Sequence, residues 1–314
     1  MSEGCISMNT LYFKYAVEVE RTRSITKAAS NLYMAQPNLS KAIKELEDTL
    51  GIDIFERTSK GVFPTVKGRE FLEYAKKILI QIEKMESLKI SRNRICQNFS
   101  IAVPGSSYIS FCISDFISEL NFSQDININV ERMNSVDIVN SVADGKYNLG
   151  IVHYSLDYES YFTDFLRDKN LCSETVWTFE HLLVMSEKNP IAEDSDISAE
   201  KLSGLIEIIQ DDMYVPYING ISRKSLSSKR ITMHERDSQF ELLCRIPDTF
   251  MWTSPVPEDI LRRFKLVHRK CSQLSSKYRD LLIFQNGYKF SELDRKFVDK
   301  LYSAKNSVSF VEYM

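Results

Sequence analysis

The stretch AASNLYMAQPNLSKAIKELEDTLG, residues 28–51, contains two helical patterns separated by a short turn. The second helix is predicted to begin near Pro37 and to end at Gly51, because proline suits a first helical turn and glycine suits the position after a helix. Its apolar stripe consists of Leu39, Ala42, Ile43, Leu46 and Leu50. The side chains that point away from this stripe face solvent, and nearly all of them are polar.

That solvent-facing side carries amide, hydroxyl and ammonium groups, from Gln36, Asn38, Ser40, Lys41 and Lys44. Gln and Asn can bond the N6 and N7 edge of adenine, Ser suits several base edges, and Lys reaches guanine or a phosphate. The preceding helix is predicted to start at Ser24, its N-cap, with a stripe of Ile25, Ala28, Ala29 and Leu32. A short helix that follows another after three or four residues matches a recognition helix, and an ordinary solvated helix face is the alternative.

The flanking segments complete a small helical unit. An earlier helix is predicted to begin at Asn9 and Thr10 and to end near Arg21. Residues 52–68 predict two short strands around a Thr-Ser-Lys-Gly turn, a wing that carries Arg57, Lys60 and Lys67.

Thr65 is predicted to cap a long helix over residues 65–91. Its apolar residues Phe71, Ala75, Ile78, Ile82 and Met85 alternate four and three residues apart. This heptad spacing is typical of one helix packing against another. It predicts pairing with a second copy of the chain.

From residue 99 onward the pattern alternates between strand and helix, which favours a parallel sheet covered by helices. Strands are predicted at 99–104, 126–132, 148–153, 181–186, 205–209, 230–235, 249–253, 265–269 and 280–285. Helices are predicted around Ile109–Leu120 and near 135–144, 237–245, 257–264 and 291–304. The polar stretches 155–164 and 254–258 are predicted crossings between two subdomains.

Composition and motifs narrow the functional classes. The net charge is −3, but residues 1–92 carry 15 Lys and Arg against 12 Asp and Glu, and the remainder carries 25 against 31. No apolar run is long enough for a membrane helix and no signal-peptide pattern opens the chain, so a cytoplasmic protein is expected. The six cysteines are scattered, which predicts reduced thiols rather than disulfides or a zinc site. No nucleotide-binding, hydrolase or metalloprotease motif is present, and we expect no metal, no cofactor and no enzymatic activity.

Several of these residues together resemble the N-terminal domain of LysR-type transcriptional regulators. They are Ala28-Ala29, Leu32, Gln36-Pro37, Ser40, Leu46-Glu47, Leu50-Gly51, Phe55-Glu56-Arg57, Thr65 and Gly68. The resemblance runs over about sixty residues and includes spacing and element order. It implies an α+β multidomain chain: a winged helix-turn-helix domain at 8–66, a linker helix at 67–92, and an effector-binding domain at 99–305. The last is similar to periplasmic binding proteins, with subdomain I about 99–160 and 265–305 and subdomain II about 161–264.

The resemblance also implies which residues contact each ligand. DNA contacts are expected from Ser24, Gln36, Pro37, Asn38, Ser40, Lys41, Lys44, Arg57, Lys60 and Thr65. Ligands of open α/β sheets bind beyond the carboxyl ends of strands. On that ground and by the resemblance, effector contacts are expected from Ser106, Ser107, Tyr108, Asn134, Ser135, His153 and Gln210. Simple helix capping is the alternative role for the serines.

These expectations define a sequence-specific, effector-responsive DNA-binding regulator that forms dimers or tetramers. Its implied partners are double-stranded DNA, a second copy, a small-molecule effector and RNA polymerase. Two alternatives stay open: a ligand-binding dimeric protein that does not read DNA, and an enzyme with an unfamiliar site. Histidines His181, His234 and His268 are expected to have ordinary structural or surface roles.

Overall fold

The computed structural model describes residues 9–90, 96–210, 227–233, 236–274 and 276–309. The chain divides into two compact units, residues 1–93 and residues 94–314. Among the helices of the described ranges, none has both the length and the apolar character needed to cross a lipid bilayer. His234, in the predicted strand 230–235, lies outside the described residues.

The N-terminal unit contains four helices and a two-stranded hairpin in its described part. They are α1 (Thr10–Thr22), α2 (Ile25–Asn31), α3 (Gln36–Leu50), β1 (Phe55–Thr58), β2 (Gly61–Pro64) and α4 (Val66–Ile90). The predicted caps form: Asn9 accepts a hydrogen bond from Leu11 N, and Ser24 accepts one from Lys27 N at 3.3 Å. Gly51 ends α3 in the left-handed conformation, with a φ of 66°. The helix-turn-helix and wing predicted from residues 9–68 are therefore confirmed.

The wing and α4 are joined by one close backbone junction. Thr65 N donates to Ile54 O at 2.9 Å, and the Thr65 hydroxyl donates to Asp53 O at 2.6 Å while accepting from Gly68 N at 2.9 Å. Gly68 lies directly over the Ile54 carbonyl. The first turn of α4 is thus fixed to the two residues that precede β1 of the wing.

The predicted heptad stripe of α4 is not continuous. Phe71 packs edge-to-face on Phe13 of α1 at 5.6 Å, and Ala75 is buried in the same core. These two residues pack on α1 of the same chain, so they are not available for contact with a second copy. Further along, Ile78 is 41% exposed and Met85 is 66% exposed. Only the later part of the predicted seam is free for another surface.

The C-terminal unit is built from helices around strands, as predicted. Its elements are β3 (Cys96–Val103), α5 (Ser107–Ser118), β4 (Asp125–Arg132), α6 (Ser135–Ala143), β5 (Leu149–Ser155), a 3-10 turn (Leu156–Tyr158), α7 (Glu159–Asp168), β6 (Leu171–Glu180), β7 (Leu182–Ser186), α8 (Ala199–Leu202), β8 (Ile206–Gln210), β9 (Lys229–Met233), α9 (Arg236–Arg245), β10 (Thr249–Thr253), α10 (Glu258–Phe264), β11 (Leu266–Arg269), β12 (Lys277–Gln285) and α11 (Glu292–Ser309).

These strands form two five-stranded sheets in the described residues. The first sheet has the order β4-β3-β5-β12-β6 and the second has the order β11-β7-β10-β8-β9. Each is mixed rather than wholly parallel, since β12 runs antiparallel to both neighbours and β7 does the same. Apolar residues of α5 and α11 cover one face of the first sheet, and those of α6 and α7 cover the other. The predicted α/β architecture is confirmed.

The predicted crossings between the subdomains are wrong. Residues 155–164 form the 3-10 turn and part of α7, and the chain returns to the first sheet as β6. Strand β6 pairs with β12 along its whole length, so the first crossing falls at His181. The return crossing lies between Arg269 and Lys277 because β11 still pairs with β7. Subdomain I therefore extends to about residue 180, and subdomain II to about 269.

Candidate nucleic-acid interface and effector cleft

Helix α3 divides into the two faces that the sequence predicted. Leu39, Ala42, Ile43 and Leu46 are all at most 7% exposed, and Leu39, Ile43 and Leu46 belong to the core shared by the helices of the unit. Gln36, Pro37, Asn38, Lys41 and Lys44 are exposed, and Ser40 is half-buried. The face is therefore available to a large partner over the first two turns of α3.

The wing brings a guanidinium group beside this face. Strands β1 and β2 pair antiparallel from Phe55 with Pro64 to Thr58 with Gly61. Arg57 Nη2 donates to Ser40 Oγ at 3.2 Å, so the Arg57 side chain lies against α3. Lys60 is exposed in the turn at the tip. A rigid recognition helix and a basic wing next to it form one surface.

A carboxylate inside α3 holds the wing in place. Glu47 Oε1 accepts from Ile54 N at 2.8 Å and from Phe55 N at 3.0 Å, which ties the start of β1 to the helix. A groove of about 450 Å³ lies between α3 and the wing, and its walls include Lys44 and Arg57. Because Glu47, Asp48 and Asp53 also line it, the groove is of mixed charge.

Two of the side chains predicted to contact DNA, Ser24 and Thr65, make hydrogen bonds to the backbone of the protein. The Ser24 hydroxyl caps α2, and the Thr65 hydroxyl makes the two backbone hydrogen bonds that start α4. Neither lies in α3 or the wing. The structure brings Ser40 and Arg57 into contact. It places the Ser24 and Thr65 hydroxyls at the starts of α2 and α4.

The predicted effector residues of the C-terminal unit lie at strand ends and helix starts. Ser106 precedes α5, is 2% exposed, and shares a 2.9 Å hydrogen bond with Ser254, which follows β10 of the second sheet. The Ser106 hydroxyl does not cap α5. Ser107 is also 2% exposed, and its hydroxyl has no hydrogen-bond partner among the described residues. A buried hydroxyl therefore lies without a partner at the start of α5.

The second helix start is arranged differently. Asn134 caps α6 by accepting from Asp137 N at 2.9 Å. The Ser135 hydroxyl donates to His153 O at 2.6 Å and accepts from His153 N at 3.0 Å. The Asn134 side chain is thereby committed to capping α6, and the Ser135 side chain to holding α6 against β5. Gln210 ends β8, paired in parallel register with Met233, and its side chain lies outside what the structure describes.

A buried polar chain continues from α5 into the first sheet. The Tyr108 hydroxyl donates to Asp280 Oδ2, and Asp280 Oδ1 lies 2.6 Å from His153 Nδ1. Asp280 is completely buried in β12, directly opposite His153 of β5. Burial and the neighbouring Asp280 carboxylate raise the pKa of Tyr108 well above its usual value, so the phenol remains a donor.

His153 also contacts the first crossing between the sheets. Its Nε2 lies 3.3 Å from His181 Nε2, and both rings stack on Tyr278. A carboxylate can only accept, so His153 Nδ1 donates to Asp280, and the two Nε2 atoms share the hydrogen bond between His153 and His181. His181 thus belongs to this polar chain. His268, by contrast, is buried in the second sheet, accepts from Val256 N at 3.1 Å, and has its pKa lowered to about 3 by burial.

Comparison with known proteins adds to this geometry. Residues 12–69 match the family described as bacterial regulatory helix-turn-helix protein, lysR family. The HTH-type transcriptional regulator BudR from Klebsiella aerogenes is 37% identical over 100 residues, which are 32% of this chain and 70% of BudR. This chain belongs to the LysR family.

Other LysR-family similarities differ in what they cover. The HTH-type transcriptional regulator BenM from Acinetobacter baylyi is 42% identical over 81 residues, or 26% of this chain and 27% of BenM. The chain therefore spans about a quarter of BenM in that match. The crystal structure of full-length CbnR complexed with the target DNA covers 95% of this chain and 100% of the CbnR chain, with a TM-score of 0.58 and 15% identity. At that identity, the likeness is one of fold.

Sequence patterns did not indicate all the site residues of this LysR-family chain. Asp280, Ser254 and His181 were missed, because their partners are distant in sequence. One signal was available for Asp280, since it opens the apolar run Leu281–Phe284 in a predicted strand. A carboxylate in such a strand is rarely buried unless it is paired. The described residues contain no group of three or more His, Cys, Asp or Glu side chains placed to hold a metal ion.

Proposed function

We propose that this chain is a sequence-specific DNA-binding transcriptional regulator whose activity responds to a small molecule bound by its C-terminal unit. The observation that carries the proposal is the exposed polar face of α3 with Arg57 against it. A B-DNA major groove admits an α-helix, and amide and hydroxyl groups in the helix's first turns can bond base edges.

The wing supplies the second half of the DNA contact. Arg57 and Lys60 are exposed cations that can neutralise phosphates beside the groove entered by α3. Phosphate contacts fix the position of the protein and release counterions, whereas base contacts select the sequence. CbnR is described in complex with its target DNA, and BudR and BenM are named transcriptional regulators, which supports the same role here. Such a regulator would act in the cytoplasm, with RNA polymerase as a further partner.

The test of base reading is Gln36→Ala. With duplexes selected from a random pool by the wild-type chain, we expect this variant to lose about 1–3 kcal/mol of discrimination at one base pair. The measurement is a competition binding assay against duplexes that differ at single positions. Lys60→Ala is the matched control, because it should weaken all duplexes alike and reduce the salt slope by about one unit.

Two results would contradict DNA reading by α3. One is a Gln36→Ala chain that keeps both the affinity and the base preference of the wild type. The other is a wild-type chain that selects no duplex from the pool, which would favour a ligand-binding protein without DNA readout.

We also propose that two copies associate through α4. Its exposed apolar residues Tyr74, Ile78 and Met85 lie four and seven residues apart, so they share one side of the helix. A second α4 would cover this stripe and would place two α3 helices for adjacent half-sites. Light scattering on the purified chain should give a multiple of 36.4 kDa, and a mass of one chain would contradict pairing.

For the effector, the start of α5 is the proposed contact. The unpartnered Ser107 hydroxyl and the first backbone N–H groups of a helix suit an anionic or carbonyl oxygen. Ser135 and His153 contribute indirectly, since Ser135 is occupied by the backbone of β5 and His153 by Asp280. Their predicted direct contact with effector stays a prediction.

We expect Ser107→Ala to weaken effector binding by about tenfold, the value of a hydrogen bond of roughly 1.5 kcal/mol, and to leave the unfolding temperature unchanged. The reason is that no described group bonds the Ser107 hydroxyl. Calorimetry with a small carboxylate found by thermal-shift screening would measure this. The matched control is Ser135→Ala, which should instead lower the unfolding temperature. Equal effector affinity in wild type and Ser107→Ala would move the site away from α5.

A further inference from the structure

Tyr33 lies in the turn between α2 and α3 with an unusual combination of properties. Its side chain is 98% exposed, and its backbone has a φ of 53°, in the left-handed region. Within the described ranges, no hydrogen bond, ion pair or ring contact engages its phenol. A large aromatic side chain is therefore held in solvent on a backbone that favours glycine.

The way α2 ends explains the left-handed backbone of Tyr33, but it does not explain why the side chain is an exposed aromatic ring. Tyr33 N donates to Ser30 O at 3.2 Å and Met34 N donates to Ala29 O at 3.0 Å, the pattern of a helix that ends in a left-handed residue. Glycine or asparagine would satisfy this geometry with less strain. Hence the fold of the N-terminal unit does not account for the Tyr33 side chain.

Of the three other non-glycine residues described with a positive φ, Lys265 places an exposed cation at the end of α10, whereas Arg23 and Asn170 use their side chains within the protein. Arg23, at the end of α1, places its guanidinium 5.5 Å from the centre of the Phe63 ring in the wing. Asn170 accepts a hydrogen bond from Asn286 at 3.4 Å. Tyr33 differs from both, because its side chain points away from the protein surface. A contact outside the chain is the remaining use for it.

The position of Tyr33 specifies what it contacts. It precedes Gln36 by three residues, so their Cα atoms are within about 11 Å of each other. The major groove is about 12 Å wide, and its walls are sugar–phosphate backbone. When the start of α3 enters the groove, Tyr33 is at the groove wall and not at the base edges. The exposed side chains of Lys27 and Ser30 in α2 are positive and neutral, so neither would repel a phosphate.

We propose that Tyr33 contacts the DNA backbone beside the groove that α3 reads, with its hydroxyl donating to a phosphate oxygen and its ring against a deoxyribose. This inference rests on the proposed function, since it needs α3 in the groove. The contact is uncharged. It therefore adds affinity without releasing a counterion and without selecting a base.

The test uses the full-length chain and a duplex selected from a random pool by the wild type, titrated at several salt concentrations. Tyr33→Gly should lower affinity about tenfold at every salt concentration, as expected for a lost hydrogen bond to a charged group. The slope of log affinity against log salt should stay that of the wild type. The unfolding temperature should equal or exceed the wild-type value, because glycine relieves the left-handed strain. Tyr33→Phe, which keeps the ring, should lose part of this affinity.

Two comparison variants separate the possible outcomes. Lys60→Ala should reduce the salt slope, in contrast to Tyr33→Gly, and Gln36→Ala should change base preference. Wild-type affinity in Tyr33→Gly together with altered preference in Gln36→Ala would overturn the Tyr33 contact and leave the DNA-reading function intact. Wild-type binding in both variants would overturn both. A changed salt slope in Tyr33→Gly would also overturn the uncharged contact.

Discussion

Gly68→Ala is expected to destabilise the N-terminal unit by roughly 3 kcal/mol or more, the upper end of overpacking effects. An added Cβ would lie 1.9 Å from Ile54 O and 2.8 Å from Ile54 C, and both atoms are backbone. No rotation of a side chain relieves this contact, so α4 must move away from Ile54, the residue before β1. That movement breaks the hydrogen bonds from Thr65 to Ile54 O and Asp53 O.

The measurement is urea unfolding followed by circular dichroism, with DNA affinity as a second readout. Two other glycines serve as controls. Gly51→Ala should cost only about 1–2 kcal/mol, because Gly51 has a φ of 66° but an added Cβ there meets nothing within 4 Å. Gly204→Ala should leave the stability almost unchanged, since Gly204 has no positive φ and an added Cβ there meets nothing within 4 Å. Equal stability of the Gly68 and Gly204 variants would contradict the close junction of α4 with Ile54.

The C-terminal unit should lose about 3–5 kcal/mol in Asp280→Ala. This carboxylate is completely buried, and it accepts from the Tyr108 hydroxyl and from His153 Nδ1. Its removal leaves the Tyr108 hydroxyl and His153 Nδ1 without this acceptor and opens a cavity beside Tyr108 of α5. Thermal or urea unfolding of the full-length chain would measure the loss, monitored by the near-ultraviolet signal of Trp177 beside Tyr108.

A double-mutant cycle makes this second expectation specific. Tyr108→Phe removes one donor, so Tyr108→Phe with Asp280→Ala should cost less than the sum of the single changes. Additive losses would show that the Tyr108 hydroxyl and Asp280 do not act together. A loss below about 1 kcal/mol in Asp280→Ala would mean that the buried carboxylate contributes little to stability.

Local signals predicted the N-terminal unit well. The caps Asn9, Ser24 and Thr65, the proline in α3 and the glycine after it each act on one helix end, and the apolar spacing fixes one face. These effects are independent of residues far away in the chain. The same local signal also misled in α4, where Phe71 and Ala75 fit a heptad but pack on α1. Periodicity shows that a residue is buried, and does not show by which partner.

The C-terminal unit was predicted less completely because its organisation depends on distant pairings. Strand β6, LCSETVWTFE, has polar residues at most of its exposed positions, and only its pairing with β12 makes it a strand of the first sheet. The hydrogen bonds of Asp280 were not predicted for the same reason, since Tyr108 is 172 residues away in sequence and His153 is 127 residues away. Side-chain roles at Ser106 and Ser135 likewise follow from Ser254 and from the backbone of β5.

The placement of β12 has a consequence for the order in which the chain acquires its structure. Strand β12 lies between β5 and β6, although the five strands of the second sheet all precede it along the chain. During synthesis, therefore, β5 and β6 leave the ribosome with open hydrogen-bonding edges. Those edges stay unpaired until residues 277–285 have been made. Open edges are sites of intermolecular pairing, so this interval is the one in which the nascent chain is most exposed to aggregation.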